Sequence, residues 1–309
     1  MNIEQPICDA WKRTRGWLFQ PFVFTDWLRL GFVAWLASFL TGSSIPSFNF
    51  SIPHSGGTGP DGGASLHWIE SLGFQGIVLV VCGIILIGGL LLVLLFWIGA
   101  RAQFMFLDNV VRQRVAVREP WQEFREQGNR FFGFYAWVAS VPLLVMVLIL
   151  LAALVAFWPD LMASQWPAWQ RFLPWFGAMI MTMLFGIVWS VGLLLYRDFG
   201  VPILYVENCT ATEAAWRIWG IVRTSPGRCF LYLVVRIALA LALGMLAGAL
   251  VLATCCIGSL PYVGMVLTLP LWVFRQSFVL DCLSQLAPEY RLWRDEPPPL
   301  DQPAMPTPE

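Results

Sequence analysis

Arg101-Ala-Gln-Phe-Met-Phe-Leu-Asp108 closes one long apolar run, and Pro120-Trp-Gln-Glu-Phe-Arg-Glu-Gln-Gly-Asn-Arg-Phe-Phe132 opens the next. In the second piece Trp121, Phe124, Gly128, Phe131 and Phe132 recur at i, i+3, i+7, i+10 and i+11, which is one face of a helix. Gln122, Glu123, Arg125, Glu126, Asn129 and Arg130 fill the opposite face. The stretch therefore reads as a charged linker between two membrane spans. Its first half ends a hairpin with an arginine and an acid. Its second half starts the next hairpin with a Trp-anchored interfacial helix.

The flanking runs set the class. Hydrophobic residues make up 58% of the chain, charged residues 12%, and the mean hydropathy is +0.68, which excludes a soluble domain. A bilayer core of about 30 Å is crossed by about 20 apolar helical residues. The spacing predicts six such helices, at 22–40, 74–100, 133–157, 173–196, from about 230, and at 260–274. The expected fold is an all-α integral membrane protein: six transmembrane helices as three hairpin repeats, with cytoplasmic interfacial amphipathic helices. One membrane domain covers 1–286, and a Pro-rich tail at 287–309 is expected to be disordered. Residues 41–72, rich in Gly, Ser and Pro, read as a flexible outer loop.

At the N-terminus Lys12, Arg13 and Arg15 precede an apolar run, as in a signal peptide. Asp26 and Arg29 interrupt that run, so a retained helix is expected. In residues 1–19, Ile3, Ile7, Trp11 and Leu18 share a face opposite Gln5, Asp9, Lys12 and Arg13. Of the 19 Lys and Arg residues, only Arg171 falls outside the N-terminal segment, the even-to-odd linkers, the C-terminal segment and the span ends beside them. The positive-inside rule then puts both termini in the cytoplasm.

A repeating unit follows from the same features: amphipathic helix, span, outer loop, span, arginine, apolar patch, acid. Its starts are Asp9-Ala-Trp11, Glu119-Pro-Trp121 and Glu213-Ala-Ala-Trp216. Its ends run from Arg101 to Asp108, from Arg197 to Glu207 and from Arg275 to Asp281. Units of about 1–108, 109–207 and 208–286 share one orientation, so their axis would lie along the membrane normal. Thr210-Ala-Thr-Glu213 is a capping box opening a helix through Arg223, with Ala215, Trp216, Ile218, Trp219 and Val222 facing one way. Ser225-Pro226-Gly227 stops it. Pro142 and Pro270 fall inside expected spans, Pro202 and Pro261 in connections.

Val201-Pro-Ile-Leu-Tyr-Val-Glu207, leading to Glu213-Ala-Ala-Trp216 and a following span, resembles a broad bacterial group similar to the membrane domain of glycerophosphoryl diester phosphodiesterases. The resemblance implies a six-helix domain in the bacterial cytoplasmic (inner) membrane. It does not extend to the catalytic half of those enzymes, which use His, Glu and Asp around a metal in a barrel. Here the two histidines, His54 and His67, share the outer loop with Asp61 and Glu70 at a spacing that matches no metal site. Seven cysteines show no Cys-x-x-Cys or Cys/His spacing and read as small packing residues.

The candidate residues are therefore cationic and aromatic. Arg101, Arg197 and Arg275 each end an even-numbered span, and a threefold repeat would bring them into a ring at the cytoplasmic mouth. A guanidinium there can hold a lipid phosphate or another anion through two parallel bonds. The plainer alternative is snorkelling, with pairing to Asp108, Asp198 or Asp281. Arg236 sits about two turns into the fifth span, where a charge is costly and suggests function, the plainer expectation being that its side chain snorkels to the interface. Trp11, Trp121, Trp216 and Trp219 read as interfacial anchors. Ala240, Gly244 and Gly248, every four residues, read as a helix-packing stripe, as do Gly186 and Ser190.

No catalytic set, cofactor or nucleic-acid surface emerges, and oligomeric state is left open. The expected function is a non-enzymatic membrane protein that interacts with lipids, or a subunit or scaffold whose protein partner binds the cytoplasmic face. The alternative is a transporter or channel with a pseudo-threefold pathway.

Overall fold

A computed structural model describes residues 4–20, 22–41, 73–162, 169–254 and 260–293. The outer loop with His54, His67, Asp61 and Glu70, the Cys255–Cys256 pair and residues 294–309 of the Pro-rich tail lie outside the described residues. Within them every regular element is helical. The order is α1 (Glu4–Phe19), α2 (Phe24–Ser38) with a 3-10 turn (Phe39–Thr41), α3 (Gly73–Arg112), α4 (Arg118–Glu123) and α5 (Arg125–Met162). There follow α6 (Trp169–Glu207), α7 (Ala211–Thr224), α8 (Pro226–Ala253), α9 (Pro261–Leu267), α10 (Leu269–Leu286) and a 3-10 turn (Pro288–Tyr290).

Four helices are long and apolar enough to cross a membrane: Val78–Arg112, Arg125–Trp158, Trp175–Glu207 and Pro226–Ala253. In the most apolar stretch of the first two no residue is buried, and in the others 6% and 17% are. The packed core lies at the other, charged end of these helices. A 35-residue helix rises about 50 Å, so each of the longer ones outruns a bilayer core and has turns to spare for that end layer.

The segment expected to be a linker is the centre of this layer. α3 does not stop near Ala100 but continues to Arg112, and between 99 and 110 it is buried on nearly every side. Phe104 and Leu107 enter one apolar cluster with Phe131, Phe199, Tyr232 and Phe278. Ala102, Met105, Phe106 and Val110 enter another with Leu30, Val33, Met265 and Leu269. A helix that is apolar all round is one surrounded by others. The second linker is corrected likewise: residues 197–207 extend α6, with Pro202 inside the helix and not in a connection. Both extensions end in the left-handed conformation, at Gln113 (φ 48°) and Asn208 (φ 50°).

The helix expected over 120–132 is divided. α4 stops at Phe124 (φ −96°, ψ 23°), and α5 starts anew at Arg125 and runs on unbroken past Pro142. The inward face is the expected one, with Phe124, Gly128 and Phe131 buried. A Cβ on Gly128 would stand 2.7 Å from Arg101 Cγ and 3.1 Å from its Cα, so only glycine lets α5 approach α3 this closely.

Two further segments expected as spans are shorter. α2 has 15 residues, rising about 22 Å, and buries Leu30, Val33, Ala34 and Ala37. Residues 260–274 divide at Thr268 into α9 and α10, with Pro270 in the first turn of α10. α9 packs on α2, where Gly31 faces Val266 and the Tyr262 hydroxyl donates to the Leu28 carbonyl at 2.9 Å.

Candidate functional site

α6, α8 and α10 bring five polar side chains together inside the charged-end layer. α8 enters that layer with Cys229, Tyr232 and Arg236 on one buried face, at i, i+3 and i+7. The Tyr232 hydroxyl and Arg236 Nε both donate to Asp198 Oδ2, each at 2.9 Å. Arg197 Nε stands 3.6 Å and Arg275 Nη2 3.8 Å from the other oxygen, Oδ1. Three of the four singled-out arginines thus share one buried carboxylate. Asp198 and Arg236 have side chains only 5% and 4% exposed, whereas Arg197 and Arg275 keep 15% and 22%. Arg236 does not snorkel. It lies within the packed layer because the first turns of α8 belong there, and a buried ion pair supplies its counter-charge.

Arg101 is not part of this group, and it does not pair with Asp108. Seven residues along a helix put the two about 10 Å apart on one side of α3, too far for an ion pair. Arg101 instead donates from Nε (3.1 Å) and Nη2 (2.8 Å) to Asn129 Oδ1, which also accepts from Trp97 Nε1 at 3.0 Å. Its guanidinium carbon lies 4.1 Å from the Trp97 ring centroid and 5.3 Å from that of Trp121. Among the described residues Arg101 meets no carboxylate.

The three acids closing the repeated layout are each engaged by a more distant element. Asp108, fully buried, is held by Arg112 Nε (2.9 Å), Arg114 Nη2 (3.1 Å) and the Tyr205 hydroxyl (2.9 Å). Glu207 pairs with Arg217 and accepts from the Tyr290 hydroxyl at 3.0 Å. Asp281 pairs with Arg13 at 2.6 Å, and Arg13 lies over the Trp293 ring. Reading the sequence missed Tyr205, Tyr232, Asn129 and Tyr290. For Tyr205 and Tyr232 the available signal was a hydroxyl in an apolar segment, which needs a partner once buried; Asn129 and Tyr290 carried none.

Other expectations divide. Trp11, Trp216 and Trp219 project outward, 57%, 73% and 59% exposed, while Trp121 is half-buried on Trp97. The face of α1 turned into the protein is Pro6, Ala10, Thr14 and Leu18; of the apolar face read from the sequence Leu18 turns inward, Ile7 and Trp11 stay outside, and Ile3 lies outside the described residues. α1 packs on α10, and the small Ala10 and Thr14 allow the approach. The packing stripe is corrected too: Ala240, Gly244 and Gly248 are exposed, and among the described residues nothing lies within 4 Å of a Cβ built on either glycine. Small residues permit contact without causing it. The inward register of α8 follows Tyr232, Arg236, Leu239 and Leu243. Gly186 also faces open space.

Of the cysteines, Cys229 and Cys282 are buried, and burial pushes the Cys282 thiol up to about 12, so it is not a reactive thiolate. Cys8 and Cys82 are exposed and pack against little. Among the described residues no three His, Cys, Asp or Glu side chains are placed to hold a metal. An apolar groove of about 550 Å³ runs between α5 and α6, lined by residues such as Pro142, Met146, Leu150, Trp175, Met179 and Met183.

The chain belongs to a family of unknown function (DUF7544), matched over residues 1–288. No curated protein and no solved structure matches it.

Proposed function

We propose that this family member is a non-enzymatic, multi-pass protein of a bacterial cytoplasmic membrane that engages lipids and acts there as a subunit or scaffold. One observation carries the reading: the apolar halves of α3, α5, α6 and α8 are bare. Leu79, Leu86, Leu90, Val155, Met183, Val188, Met245 and Leu252 stand well exposed, with little protein to cover them. Surface of that extent needs lipid or a partner's helices around it. The groove between α5 and α6 offers an acyl chain the same apolar lining.

Within this reading the chain crosses the membrane six times, α2 and α9–α10 completing the set, with both termini in the cytoplasm where the arginines gather. Trp11, Trp216 and Trp219 then lie at the headgroup level, on amphipathic helices in the interface. A threefold repeat is supported by cyclic packing. α4 and the start of α5 cover the end of α3, α7 covers the end of α6, and α1 covers α10. Tyr205 and Arg13 each reach the acid of a neighbouring unit in the same circular order, and Tyr290, just beyond the third unit, reaches the acid of the second. A transporter pathway draws no support from the described residues, because Phe104, Phe131, Phe199 and Tyr232 fill the layer.

The test is gentle extraction followed by mass spectrometry of what stays bound. Anionic phospholipid or a defined protein partner is the expected result. Protein that retains neither, in several mild detergents, overturns the proposal.

A further inference from the structure

We propose that the Asp198 cluster is a binding site for a phosphate group, held between the guanidinium groups of Arg197 and Arg275. The site rests on the lipid-binding reading above and specifies where it acts. Three guanidinium groups face a single carboxylate, so two positive charges in the cluster lack a counterion among the described residues. The surplus is not evenly placed. Arg236 and the Tyr232 hydroxyl take Oδ2 at hydrogen-bond distance and are sealed in, whereas Arg197 and Arg275 stand beyond that distance from Oδ1. Among the described residues their donors make no hydrogen bond, and these two side chains are the partly exposed members of the group.

Asp198 thus serves as a fixed spacer that keeps two cations side by side, and Arg236 with Tyr232 locks the spacer. A guanidinium fork fits carboxylate and phosphate alike, but only the phosphate has oxygens enough for two forks to engage it together. Trp272, whose ring centroid is 5.2 Å from the Arg275 guanidinium carbon, backs one arginine and limits its rotamers. The cluster begins where the apolar run of α6 ends, which under the membrane reading above is the level of the phospholipid phosphates. The same chemistry would hold free phosphate, and the experiment separates the two sources.

Full-length protein in mild detergent is titrated with dihexanoyl phosphatidylglycerol and, separately, with inorganic phosphate, using sodium chloride at matched ionic strength as reference. Affinity is read from the rise in unfolding midpoint. A rise with the lipid alone assigns the site to a headgroup, and a rise with inorganic phosphate assigns it to the phosphate group itself; both support the site. R197Q/R275Q, which leaves the Asp198–Arg236–Tyr232 lock intact, is expected to bind at least tenfold more weakly. R101Q is expected to stay within about twofold, because Arg101 lies on a separate set of partners. If R197Q/R275Q does not fold, R197K/R275K replaces it, and loss of the planar forks is expected to weaken binding at least threefold. No midpoint rise in wild type, or equal rises in wild type and the Arg197/Arg275 variant, overturns the site. Equal retention of native lipid by both proteins would sink the site while leaving the broader lipid reading intact; absence of retained lipid in wild type sinks the broader reading alone if inorganic phosphate still binds.

Discussion

Asp198 is the counter-charge on which the burial of Arg236 depends. Removing one partner of a buried pair costs about 3–5 kcal/mol, because the other charge stays desolvated. D198N is therefore expected to lower stability in denaturant titrations by about that much, and D198L/R236M to recover most of it. A double variant as unstable as D198N would show that the pair is not the source. Y232F, which loses one hydrogen bond to the carboxylate, should cost about 1–2 kcal/mol. Gln113 gives a prediction of opposite sign. Its φ of 48° strains a side chain at no gain in packing, and Q113G should stabilise the protein by about 0.5–1 kcal/mol in thermal unfolding. Arg236 was legible in the sequence because a charge in an apolar run is conspicuous. Its partner was legible only as one of several acids, since nothing along the chain ranks Asp198 above Asp108 for the distant Arg236 and Arg275.

At the scale of elements, glycines separate real packing from apparent packing. G128A places a methyl group against the Arg101 backbone and is expected to cost about 1–3 kcal/mol. G244A faces open space and should instead stabilise α8 by about 0.5–1 kcal/mol through helix propensity. Equal effects on unfolding midpoints would contradict the difference. The capping box of α7 matches its reading from sequence: Thr210 N–H donates to Glu213 Oε2 at 2.9 Å, and Glu213 N–H to Thr210 Oγ1 at 3.3 Å. Hydrogen bonding from the Thr210 backbone N–H, and after it from the Thr210 side chain, holds the Glu213 carboxyl below its usual range. Its contribution is present above the ordinary glutamate pKa and is lost as pH falls through the lowered one. Amide protection at the first turn of α7, taken relative to the intrinsic exchange rate at each pH, should therefore fall at acid pH in wild type and be low already at neutral pH in T210A. An unchanged rate in T210A would remove the cap from the account. Local motifs like this one were readable because donor and acceptor are three residues apart. The end of a helix was not, since Arg101 and Asp108 look like solvated charges until partners surround them.

For the whole molecule, the apolar halves and the charged layer predict one orientation. In a C255S/C256S background, a membrane-impermeant maleimide should label the exposed Cys8 only after cells are permeabilised. Labelling in intact cells would reverse the topology. Cyclic closure of the layer makes a second prediction. α1 docks on α10 through the Arg13–Asp281 pair and the Arg13–Trp293 stack, so R13A should loosen both chain ends together. Trypsin cleavage at Lys12 and Arg291 should then rise in parallel. Cleavage that rises at one end alone would argue against a closed layer.

Composition and periodicity by themselves determined that this chain is helical, that its long runs are fit to lie in lipid, at which ends of those runs the arginines gather, and where α7 is capped. Each of these depends on local averages or on neighbours a few residues apart, which the order of residues states directly. Only the tertiary structure decided that 99–110 is the buried centre and not a loop, and that Arg197, Arg236 and Arg275 share Asp198 while Arg101 stands apart on two tryptophans and Asn129. A charge looks the same in sequence whether water or protein surrounds it. Its partner is chosen by how helices far apart in the chain come to pack, and desolvation then makes that choice binding.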